Sequence, residues 1–68
     1  MAEQKLTLYE VYFDTSQHKW RQKALKTLPA SKIEQLRDEE RQLKQSVKGR
    51  KGIDFVVNLS GTRLRLNE

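Results

Sequence analysis

Apolar residues open this chain in two interleaved phases. From Lys5 to Phe13 the sequence reads Lys-Leu-Thr-Leu-Tyr-Glu-Val-Tyr-Phe. In an extended backbone Tyr9, Val11 and Phe13 point one way, and Leu6, Leu8 and Tyr12 point the other. Aromatic and β-branched residues suit a strand, so 5–13 is predicted to be one. With both faces apolar, it belongs inside a sheet or presents its second face to a partner. The run Asp14-Thr15-Ser16-Gln17-His18 is rich in turn formers and closes the segment.

Residues 19–28 fit two periods. As a strand, Trp20, Gln22 and Ala24 face inward and Lys19, Arg21 and Lys23 face out. As a helix, Trp20, Ala24 and Leu28 share a side, with Ser16 as N-cap. The strand is the expectation adopted, pairing with 5–13 as a hairpin. The helical alternative would put two helices about Leu28-Pro29-Ala30, a helix-turn-helix with 32–47 as recognition helix. The acidic centre of 32–47, from Asp38 to Glu40, argues against that helix lying along phosphates.

Beyond Pro29, Ser31-Lys32-Ile33-Glu34 has the spacing of a capping box. A helix is predicted over 32–47, with Ile33, Leu36, Leu43 and Val47 as a narrow apolar stripe broken by Glu40. Glu40 precedes Lys44 by one turn, Lys44 and Lys48 suit the carboxyl end, and Gly49 supplies a left-handed cap. Ile53, Phe55, Val57 and Leu59 alternate with Asp54, Val56 and Asn58, which predicts a strand over 53–59. Ser60-Gly61 then predicts a tight turn into a last strand, with Leu64 and Leu66 inward and Arg63 and Arg65 outward.

These elements give ββαββ, an α+β fold in which one helix packs on one face of a four-stranded antiparallel sheet. The spatial order 2-1-3-4 puts the doubly apolar strand 5–13 in the interior and leaves the helix to return the chain across the sheet.

Size constrains this picture. The 68 residues make a single small domain, 1–68, whose core yields net stability on the order of 3–5 kcal/mol. Without cysteine there is no disulfide and no thiolate metal site to add to it. Met1-Ala2-Glu3-Gln4-Lys5 does not resemble a secretion signal, and no apolar run approaches the roughly 18–20 residues that span a bilayer. A cytoplasmic protein without a membrane partner is expected.

Candidate chemistry is sparse. Ser60-Gly61 is not a nucleophile elbow, and His18 sits alone in a polar loop. Asp38, Glu39 and Glu40 point in different directions on a helix and do not converge on a metal. Gly49 and Gly52 lack phosphate-loop spacing. No enzymatic activity and no cofactor are expected.

Charge is more informative. Lys and Arg number 14 against 9 Asp and Glu, a net charge of +5, and the cations are segregated. Lys19, Arg21 and Lys23 form one group, Arg50 and Lys51 a second, and Arg63 and Arg65 a third. A basic sheet face with an aromatic such as Tyr12 beside it has the makings of a nucleic-acid site for DNA or RNA. The leading expectation is therefore a non-enzymatic accessory or regulatory protein that binds nucleic acid. The rival is a protein-interaction module, a homodimer or an adaptor, using an open apolar sheet face of Leu6, Leu8, Tyr12 and Val56. Trp20 is read as a core residue on either expectation.

Overall fold

The computed structural model describes residues 4–64. Strand β1 spans Lys5–Asp14 and β2 spans Lys19–Pro29. A single 3-10 turn, Ala30–Lys32, leads into helix α1, Ile33–Ser46, and β3 spans Ile53–Leu59. The sheet order is β2-β1-β3 and both pairings are antiparallel. Residues 19–28 are thus strand, and the doubly apolar first strand is central.

The expected four-stranded sheet is corrected to three strands. Residues 62–64 form no strand, while Arg65 and Leu66 lie outside the described residues. The turn explains the loss. Thr62 N–H donates to the Leu59 carbonyl at 3.1 Å. Of its two central residues only Gly61 has a positive φ, +82°. That is the pattern of a type II turn, whereas the hairpin turns I′ and II′ need a positive φ at the first central residue, Ser60. A type II turn does not match the strand twist, so the chain leaves the plane of the sheet.

The helix covers the face carrying Leu6 and Leu8. Leu8, Leu36 and Phe55 form the buried centre, with Leu6, Leu28, Leu43, Val47, Ile53 and Val57 packed around it. Chemistry decides this choice of face. The opposite phase of β1 carries Thr7 and Tyr9, which are 1% and 4% exposed and hold hydroxyls. Under the aliphatic stripe of α1 those hydroxyls would lack partners, a cost of a few kcal/mol. On the far face Thr7 Oγ1 instead meets Thr27 Oγ1 at 2.9 Å, and Tyr9 Oη meets the chain end.

A bulge in β2 completes the match. Leu8 pairs with Lys26 and Tyr9 with Ala24, which leaves Leu25 as the extra residue. The shift brings Leu28 into the helix-side core, although Trp20, Gln22 and Ala24 face the other way. The expectation that Trp20, Gln22 and Ala24 face the helix is therefore reversed.

The helix start also differs from the capping-box reading. Its N-cap is Lys32, without a side-chain cap bond, and Ser31 belongs to the 3-10 turn that follows Pro29. At the other end Gly49 takes a φ of +88°, as the sequence predicts.

The two sheet edges differ. Ser60 N–H reaches the Lys5 carbonyl and Phe13 N–H reaches the Gly52 carbonyl, each at 2.9 Å. Even-numbered residues of β3 therefore bond inward, and the odd-numbered amides point outward. Two of those outward amides are occupied locally: Phe55 N–H donates to Asp54 Oδ1 at 2.8 Å, and Leu59 N–H to Asn58 Oδ1 at 2.7 Å.

Candidate nucleic-acid interface

Leaving β3, the chain crosses the sheet face opposite α1. Three side-chain bonds hold it there. Gly61 N–H donates to Tyr9 Oη at 2.9 Å. The Gln22 carboxamide donates to the Thr62 carbonyl at 3.0 Å and accepts from Leu64 N–H at 2.8 Å. Gln22 thus grips the backbone on either side of Arg63, as a neighbouring strand would.

Between this crossing segment and β2 runs a groove of about 730 Å³, bordered by Lys19, Trp20, Arg21, Gln22 and Arg63 among others. At the end of the β1–β2 hairpin lies a second recess of about 500 Å³, formed by Phe13, Thr15, Trp20, Lys51 and Gly52. Trp20 is a wall of both. Its ring meets that of Phe13 edge-on, with centroids 5.7 Å apart and planes at 65°. Gly52 borders the recess without a side chain and holds a φ of +81°.

The hairpin loop fixes this end of the sheet. Asp14 Oδ1 accepts from the Ser16 hydroxyl at 2.6 Å, from Ser16 N–H at 3.0 Å and from Gln17 N–H at 3.3 Å. His18 turns the chain with a φ of +54°. The Ser16 hydroxyl, aided by the two backbone amides and Arg21, holds the Asp14 carboxyl below its ordinary value against a smaller opposing effect of desolvation.

Charge is divided between the two sides of the molecule. Around the helix acids and bases pair: Lys26 Nζ lies 3.2 Å from Glu39, and Lys44 lies 3.8 Å from Glu40 and, across the β3 edge, 4.0 Å from Asp54. Among the described residues, no carboxylate borders either recess on the far side. Arg21 meets Asp14 at 3.4 Å, but Lys19, Lys51 and Arg63 have no ion-pair partner among the described residues.

Most of the residues singled out in the sequence can now be placed. Lys19, Arg21 and Lys23 take the helix-side phase at the sheet edge, where Lys23 opposes Glu10. Lys19 and Arg21 still border the groove, and Lys23 does not. Lys51 joins them at the recess, Arg50 is exposed beside it, and Arg65 lies outside the described residues. Leu6 and Leu8 belong to the core under α1, with Tyr12 on the same phase. Val56 pairs with Tyr9 on the opposite face. These four residues do not form one open patch.

Sequence reasoning missed Phe13, Trp20 and Gln22 as site residues. The alternation of β2 carries no sign of the bulge that turns Trp20 and Gln22 away from the core, so tryptophan is read by its size alone. The chain matches no family model, no curated protein and no solved structure.

Proposed function

We propose that this protein binds nucleic acid and acts as a small non-enzymatic accessory or regulatory factor. One observation carries the reading. Cations from three separate segments, Lys19 with Arg21, Lys51, and Arg63, border two recesses that share Trp20 and that no carboxylate lines among the described residues. A polyanion following these recesses would meet positive charge throughout, with low-dielectric aromatic walls to strengthen it. Lys51 and Arg63 serve as the principal phosphate contacts, with Lys19 at the margin of the groove on the sheet edge. Arg21 contributes less, because Asp14 already engages it. Arg50 lies close enough in sequence to Lys51 to extend the path.

The test is binding of mixed-sequence DNA and RNA by fluorescence anisotropy across a salt series. Affinity should fall steeply with salt, by roughly 0.7–0.9 log unit per log unit for each phosphate contact. The Lys51→Ala, Arg63→Ala double variant should lower that slope by about 1.5 units and keep the thermal melt of the parent. An unchanged affinity and slope in this variant would overturn the reading.

A further inference from the structure

We infer that the recess beside the Phe13–Trp20 pair is a stacking site for an unpaired base, so that the ligand is single-stranded nucleic acid. This rests on the reading of the basic recesses as a nucleic-acid site and narrows it to one class.

The first ground is shape. The recess at the hairpin end is open to solvent and is bordered by both aromatic residues and by Gly52, which carries no side chain. A Cβ at Gly52 would lie 3.6 Å from the Phe13 Cβ, and the φ of +81° disfavours any other residue there. Bases in a duplex are stacked on one another, and only their edges reach the grooves. An unpaired base has a free π-face to offer, and aromatic side chains are its usual platform.

The second ground is the ring geometry. Phe13 and Trp20 meet edge to face at 65°, an arrangement that leaves ring faces unshared, as a stacked pair would not. Phe13 is 37% exposed, so part of its side chain is open to solvent at this end of the sheet.

The third ground is the placement of charge on both sides of the rings. Lys51 borders the aromatic recess, and Lys19, Arg21 and Arg63 border the groove that begins on the other side of Trp20. A single strand with one base in the recess would have its neighbouring phosphates directed to Lys51 one way and to the groove the other. Polyglutamate would satisfy the cations but has no flat ring for the recess. A duplex would satisfy them without entering it.

The chain has a single tryptophan, so its fluorescence reports on Trp20 alone. The experiment titrates the full chain at low salt with a short oligo-dT, with a duplex of equal length and with polyglutamate. Oligo-dT should quench Trp20, bind more tightly than the duplex and resist competition by polyglutamate. Trp20→Leu should weaken oligo-dT roughly ten- to a hundredfold, as expected for loss of one stacked base, and leave the salt slope unchanged. Phe13→Leu, tested alongside it with circular dichroism on both, covers the case in which one variant fails to fold.

Equal affinity for duplex and single strand, with no quenching, overturns the stacking site and leaves the nucleic-acid reading standing. Polyglutamate displacing oligo-dT at equal charge also overturns it, in favour of an acidic protein partner. Absence of binding by either nucleic acid at low salt overturns both inferences together.

Discussion

Asp14 shows how much rests on one side chain in a domain this small. Its carboxylate ties the β1–β2 loop through Ser16 and Gln17 and is held below its ordinary pKa of 3.8 chiefly by the Ser16 hydroxyl. A carboxyl whose folded pKa is depressed stabilises the fold fully above its unfolded value and loses that contribution as pH falls through the folded one. The loop should therefore loosen only below about pH 4. Asp14→Asn should flatten the acid limb of stability, read from thermal melts at about pH 6 and about pH 3. The core is less forgiving. Leu36 is 0% exposed, and Leu36→Ala should cost about 2–5 kcal/mol, comparable with the whole net stability of such a domain. A urea titration would show little or no folded baseline. Leu8→Lys, placing an unpaired charge at a site 2% exposed, should abolish folding by circular dichroism. A folded Leu8→Lys monomer would contradict the placement of that residue beneath α1.

Among the elements, the crossing segment is the one held mainly by side chains. Gln22→Ala removes both of its backbone contacts, so the Leu64 amide should exchange with solvent much faster by NMR, with a shift in melting temperature of only a few degrees. Period and composition made most elements legible: β1 and β3 by alternation, α1 by its stripe, and β2 by the better fit of its strand pattern. The remainder was hidden for physical reasons. Whether Ser60-Gly61 returns the chain into the sheet depends on which central residue takes a positive φ, and that residue is Gly61. Which face of β1 meets α1 depends on where Thr7 and Tyr9 find hydrogen-bond partners, and hydropathy does not weigh this. The bulge at Leu25 inverts the phase of half of β2 without any glycine or proline to mark it. The candidate site was half legible. Its cations were visible as runs, but the aromatic pair depended on the inverted phase.

At the scale of the molecule, opposite responses to salt separate folding from binding. A net charge of +5 opposes compaction, and salt screens this repulsion, whereas exposed ion pairs such as Arg41–Asp38 at 3.6 Å contribute little. Thermal stability should hold or rise from low to physiological salt while nucleic-acid affinity falls. A melt that collapses with added salt would point instead to ion pairs as the main support of the fold. The sheet order has a further consequence, one for biosynthesis. β1 is the central strand yet leaves the ribosome before both of its neighbours, and its hairpin with β2 can close as soon as residue 29 is clear. Its other edge pairs with β3, whose Ile53 faces Tyr12 across roughly 40 residues of intervening sequence. At typical elongation rates that edge waits a few seconds with its amides and the Leu6–Leu8 face uncovered. The nascent chain is therefore most vulnerable to pairing with a neighbour in that interval, before Asp54 and Asn58 arrive to close the outer margin of the finished sheet.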